Sequence, residues 1–146
     1  MTESLQFSQI LRQWMDAFVH RSMRASAHFV KSSGFSMPQF FLLMHVHHRQ
    51  QCGISDLSDH LEITNAAVSQ LVDKLVQAGL LERAENPHDR RAKTVALSPK
   101  GKQFIEQGME ERYRWLERLD ANLTAAEQGQ VIEALKVMLR AMEDSQ

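Results

Sequence analysis

The run ITNAAVSQLVDKLVQAG, residues 63–79, constrains its own structure more tightly than any other part of the chain. Val68, Leu71, Val72 and Leu75 recur at the three- and four-residue spacing of one apolar helix face, Thr64 offers a capping hydroxyl, and Gly79 supplies a stop. Such a helix must bury its stripe against a neighbour. The nearest is DLSDHL, a short helix that Ser55 can cap, separated from the first by a few residues around Glu62 and Ile63. Two short helices joined so tightly predict a helix-turn-helix. With the stripe inward, Asn65, Ala66, Ser69, Gln70, Asp73, Lys74 and Gln77 face outward. Small and polar side chains near a helix N-terminus let the backbone approach a DNA groove, and helix-end amides attract phosphate. An ordinary solvated face has the same composition, so the helix alone leaves both readings open.

After Gly79 the period changes. LLERAEN and KTVALS suit strands, and Asn86, Pro87 and Asp89 form a turn between them, which predicts a β-hairpin with a loop longer than the tight two-residue kind. Ser98 then caps, and Pro99 opens, a helix running through FIEQGMEERYRWLERL. Upstream, Ser36 and Pro38 start a buried helix, FFLLMHVHHRQ, that Cys52 and Gly53 end. Long amphipathic helices flank this region. One runs from Ser4 to about Val30 with Phe7, Ile10, Leu11, Trp14 and Phe18 in its stripe; the other starts at Thr124 and carries Val131, Ile132, Leu135, Met138, Leu139 and Met142. These stripes exceed what a small helix-turn-helix core can cover. A second copy related by a twofold axis would bury them, as would a monomeric bundle that folds its termini onto its own chain.

At 146 residues the chain suits one domain, or a small domain plus oligomerisation helices. Its 43% hydrophobic and 24% charged content excludes a disordered chain, and no apolar run approaches the roughly twenty residues of a membrane span. MTESLQFSQILRQW lacks the features of a secretory signal, so a cytoplasmic protein with no membrane partner is expected. The net charge of −1 is unevenly divided: residues 60–102 carry 7 basic and 5 acidic side chains, residues 103–146 carry 5 and 9. Affinity for a polyanion must therefore come from placement rather than bulk charge. No glycine-rich phosphate loop, nucleophile elbow or paired metalloprotease histidines occur, so neither an enzyme nor a cofactor is expected. Cys52, the only cysteine, excludes an intrachain disulfide. Of His45, His47, His48 and Cys52, only His48 and Cys52 are well spaced to act together, and two ligands do not make a tetrahedral zinc site. A partly buried histidine cluster accounts for them better than a metal.

Helix-turn-helix, hairpin and helix in that order make a winged helix. The segments LEITNAAVSQLVDKLVQAGLLER and HDRRAKTVALSPKG resemble the MarR (multiple antibiotic resistance regulator) family, the second being close to its signature of DRR, strand, LT, two residues and Gly. The resemblance covers nearly the whole chain. It implies a mainly α fold with a small β-hairpin wing (α+β), a winged helix-turn-helix lobe at 35–102, and dimerisation helices at 1–34 and 103–146. It further implies a homodimer on pseudo-palindromic double-stranded DNA, with Thr64 to Lys74 as the recognition helix in the major groove and the wing in the minor groove. Matched position by position, Arg91 enters the minor groove and Asp89 steadies its guanidinium, while Arg90 and Lys93 suit phosphates. The DNA-facing set is then Ser55, Thr64, Asn65, Ala66, Ser69, Gln70, Lys74, Asp89, Arg90, Arg91 and Lys93. Ser98 replaces the usual Thr. Asn65 and Ala66 stand where members often carry Pro and Ser, and Gln70 where many carry Arg, so the operator sequence does not carry over. The resemblance also implies a repressor released by a small aromatic or phenolic effector, in a cleft near Trp14, Phe18, Met44, His45 and Tyr113, residues equally suited to a core. A protein-binding winged helix that never touches DNA, or a metal- or redox-responsive regulator using His48 and Cys52, are the alternatives.

Overall fold

Hydroxyl caps set where the principal helices begin. The computed structural model describes residues 2–86 and 88–144, with their side chains except those of residues 2–4 and 90–92. The elements are α1 (Thr2–Ser32), α2 (Met37–Arg49), β1 (Gln51–Gly53), α3 (Ile54–Leu61), α4 (Asn65–Gln77), β2 (Leu81–Asn86), β3 (Asp89–Leu97), α5 (Pro99–Tyr113), α6 (Trp115–Ala121) and α7 (Ala125–Glu143). At α2, the Gln39 N–H donates to Ser36 Oγ at 3.3 Å and the Ser36 N–H donates back to Gln39 Oε1 at 2.8 Å. Thr64 Oγ1 accepts from the Ala67 N–H at 3.2 Å to open α4. Thr124 opens α7 in a reciprocal box with Glu127, and hydrogen bonds from the Thr124 N–H and hydroxyl hold the Glu127 carboxyl below its ordinary range.

Three local expectations are corrected. Ser55 does not cap α3: Gly53 does, in extended conformation, with its N–H 3.5 Å from the Asp56 carboxylate, and Ser55 falls inside the first turn. The cause is β1, too short to show alternation in sequence, whose pairing of Cys52 with Val95 and Gly53 with Thr94 holds the chain extended up to Gly53. For the same reason α2 stops at Arg49 and turns through Gln50 at a φ of 71°. The sheet is therefore three-stranded and antiparallel, in the order β1-β3-β2. The wing also lacks the long loop expected of it, since only residues 87 and 88 separate its strands. The extra length sits in β3 instead: pairing passes from Glu85 with Lys93 to Asn86 with Asp89, leaving residues 90–92 as a bulge. Asn86 Oδ1 accepts from the His88 N–H at 2.9 Å, a local turn, while Pro87 lies outside the described residues. Finally, the single helix expected after Pro99 is interrupted at Arg114, whose carbonyl accepts from Glu117 across three residues rather than four.

The chain divides into two compact units, Met1–Arg112 and Tyr113–Gln146. The core of the first is built from Leu42, Leu43 and Val46 of α2, Leu57 of α3, Val68, Val72 and Leu75 of α4, Leu81 and Val95 of the sheet, and Ile105 of α5. Phe104 of α5 packs its ring 5.1 Å from Phe29 of α1 and 5.2 Å from Phe35, which ties both helices to the lobe. The fold is mainly α with a small sheet, a winged helix-turn-helix bordered by long helices.

One junction joins α4, the wing and α5. Gly79, at a φ of 75°, ends the turn after α4 and leads through Leu80 into β2. Ser98 lies alongside it: its hydroxyl donates to the Gly79 carbonyl and accepts from the Gly101 N–H, and its own N–H donates to the Leu80 carbonyl at 3.1 Å. The approach is so close that a Cβ on Gly101 would lie 2.0 Å from the Leu80 carbonyl oxygen. Gly101→Ala is expected to destabilise the protein by about 3 kcal/mol, because backbone must move to admit the methyl. Gly129→Ala is the contrast. Nothing lies within 4 Å of that added Cβ in α7, so the helix should gain about 0.5–1 kcal/mol. Midpoints of urea unfolding for the two variants check both signs.

Candidate nucleic-acid interface

α4 separates its two faces cleanly. Val68, Val72 and Leu75 are at most 1% exposed, whereas Thr64, Asn65, Ala66, Gln70, Asp73, Lys74 and Gln77 are exposed and Ser69 is half-buried. The turn before it is held by Glu62 at a left-handed φ of 55° and by the Ser58 hydroxyl donating to the Ile63 carbonyl. Thr64 occupies only one of the unpaired amides of the α4 start, so that end keeps donors and positive potential for an anion. Ser55 lies exposed on the first turn of α3.

The wing carries Asp89 and Lys93, both exposed, at the two ends of the bulge. Arg90 and Arg91 belong to the bulged backbone between them. Their side chains, and hence the expected Asp89–Arg91 pairing, lie outside the described residues. Sequence reasoning missed two basic residues at the base of the wing. Arg83 of β2 donates through Nη2 to the Asp73 carboxylate of α4, and Lys100 Nζ donates to the Ala78 carbonyl at 3.0 Å, neutralising the C-terminal end of α4. Arg83 could have been found, since it stands two residues after buried Leu81 and therefore points to the same side of the sheet.

The residues expected around an effector fall in different surroundings. Trp14 and Phe18 stack on α1 with centroids 5.3 Å apart, Met44 packs against the core, and Tyr113, 44% exposed, begins the second unit. His45 instead stacks on His60 of α3 at 3.8 Å. With Arg49, Gln51, Cys52, Asp56, Asp59 and His60 it lines a cavity of about 470 Å³ to which Trp14, Phe18 and Met44 do not contribute. Burial, then the charge of His60, lowers the His45 pKa and favours its neutral form. Cys52 is 2% exposed, and burial followed by the Asp56 carboxylate pushes its thiol pKa up. His48 meets only the edge of the His47 ring among ring contacts, and among the described residues no three His, Cys, Asp or Glu side chains are grouped as a metal site. No described helix is long and apolar enough to cross a membrane.

Comparison with known proteins gives this geometry its context. The sequence pattern of the MarR family matches residues 35–93, from just before α2 into β3 of the wing. The HTH-type transcriptional regulator YdgJ of Bacillus subtilis is 30% identical over 110 residues, covering 75% of this chain and 67% of that protein. Transcriptional regulator Tm0710 of Thermotoga maritima superposes with a TM-score of 0.82 at 25% identity, covering 96% of each chain. A mutant Escherichia coli MarR complexed with operator DNA superposes at 0.57, also with 25% identity, over 91% of this chain and 97% of that one. These relatives are transcriptional regulators and not enzymes. The chain belongs to the MarR family of transcriptional regulators.

Proposed function

We propose that this protein is a cytoplasmic, homodimeric repressor that binds a pseudo-palindromic operator and is released by a small aromatic or phenolic ligand. The observation that carries the reading is the exposed, polar, hydroxyl-capped face of α4 beside a wing whose tip holds Arg90, Arg91 and Lys93. In this reading Thr64, Asn65, Ala66 and Ser69 bring the helix close to the major groove, Gln70 reads a base edge and Lys74 meets phosphate. Arg91 enters the minor groove, where narrowing strengthens the negative potential, and Asp89 orients it. The DNA-bound E. coli relative supports this. So do the exposed apolar side chains of the long helices, Phe7, Ile10 and Met23 in α1 and Ile132, Leu139 and Met142 in α7, all more than half exposed and suited to a second copy. A twofold pair would set its two recognition helices about 34 Å apart, one turn of DNA. A ligand held near Trp14, Phe18, Met44, His45 or Tyr113 would act by favouring a different spacing, to the extent of its differential affinity.

Binding of the purified protein to its own upstream DNA tests this directly. Wild-type affinity should fall steeply with salt, and Arg91→Ala should weaken it about tenfold or more. Salt-independent behaviour would instead favour a protein-binding module, and an unaffected Arg91→Ala would remove the wing assignment. Ile132→Glu should yield a monomer by sedimentation while keeping its helix, because the side chain is 52% exposed in one protomer. Thiol sensing would require an accessible, readily labelled Cys52, and the structure leads to the opposite expectation. With Cys52 buried and its pKa raised, labelling by a disulfide reagent at neutral pH should be slow in the native protein and fast in denaturant, and Cys52→Ser should bind DNA as wild type does.

A further inference from the structure

We propose that Asp73 and Arg83 form a clamp that sets the wing's angle against the recognition helix, making both positioning residues for DNA binding although the clamp itself reads no base. The inference rests on the DNA-binding reading above. Asp73 lies three and four residues after Gln70 and Ser69, so it shares the outward face of α4 with the groove-facing positions. Arg83 lies on β2, where it pairs with Val95 of the central strand β3, and it projects to the helix side of the sheet along with Leu81. Their ion pair is a polar link between the middle of α4 and the hairpin. At the other end the hairpin is anchored by Ser98 and Lys100 on the Gly79 and Ala78 carbonyls. The root of the hairpin is also held by the pairing of β3 with β1 and by buried Leu81 and Val95, and the ion pair adds to these a polar restraint that reaches the outward face of α4. The pair's exposure, 53% for Arg83 and 56% for Asp73, argues that its role is not chiefly stability, because exposed ion pairs contribute little to folding.

The sign of one substitution distinguishes this role from simple electrostatics. A carboxylate on a DNA-facing surface repels phosphate, so by charge alone Asp73→Asn should tighten binding. If the clamp aims the wing, Asp73→Asn should instead weaken operator affinity, by about fivefold, and Arg83→Met should do the same. The double variant should lose no more than either single one, and the exchanged pair Asp73→Arg with Arg83→Asp should recover most of the loss. Measurements belong at fixed, low salt, with thermal unfolding of each variant confirming that the lobe remains folded. Asp73→Asn binding as tightly as wild type or tighter would overturn the proposal, as would additive losses in the double variant with no recovery on exchange. A loss confined to Arg83→Met, with a shallower dependence on salt when the titration is repeated at higher salt, would overturn the clamp and make Arg83 a phosphate contact instead. Failure of wild type itself to bind any operator would overturn the DNA-binding reading on its own, independently of how the variants compare.

Discussion

The close approach of Gly101 to the Leu80 carbonyl is the contact on which the winged helix-turn-helix lobe depends. It brings the start of α5 against the segment that has just left α4, at a distance only a residue without a Cβ permits. Ser98 then spans the gap with hydrogen bonds to the Gly79 and Leu80 carbonyls and from the Gly101 N–H. Each of these carbonyls would otherwise be an unpaired acceptor at the end of a helix or turn, so the same bonds that satisfy the backbone also fasten three elements together. α4, the wing and α5 consequently meet at one hydrogen-bonded junction.

From that junction the structure divides its apolar surface in two ways. The stripe of α4 is covered within its own unit, where α4 packs on α3 and β2, and this leaves the opposite face exposed. The stripes of α1 and α7 are not covered to the same degree. Much of α1 before Ser22 is exposed, as are Val131, Ile132, Leu135 and Leu139 of α7, and leaving this much apolar area in water is unfavourable by the ordinary hydrophobic scale. A lobe with an exposed polar face and helices with exposed apolar faces suit the dimeric, DNA-binding reading proposed above.

Legibility in sequence followed the range of the interaction. Caps act within three residues, so Ser36, Thr64 and Thr124 could be read directly, as could Gly79 and the outward face of α4 with Asn65, Ala66 and Gln70. β1 could not, because three residues carry no periodicity and its strand character comes from β3, more than forty residues away. Gly53 replacing Ser55 as the α3 cap follows from that pairing, and so does the turn at Gln50. The bulge at residues 90–92 is likewise a matter of register between two strands, and the break at Arg114 carries no proline or glycine to announce it. Among the residues expected around an effector, the stacking of His45 on His60 of α3 was likewise not legible, because it joins two helices, whereas Trp14 and Phe18 stack within α1 at helical spacing.

By itself the sequence determined the types of the longer elements, the helix that presents Thr64 to Lys74, the wing bearing Asp89 to Lys93 and the family to which the chain belongs, because periodicity, capping and motif spacing are local properties of the chain. Only the tertiary structure decided that the wing grows from a three-stranded sheet, that Arg83 reaches Asp73 across ten residues, and that Gly101 must have no side chain. Those features arise where distant backbone segments compete for the same space and the same hydrogen-bonding groups, and that competition exists only once the chain has folded.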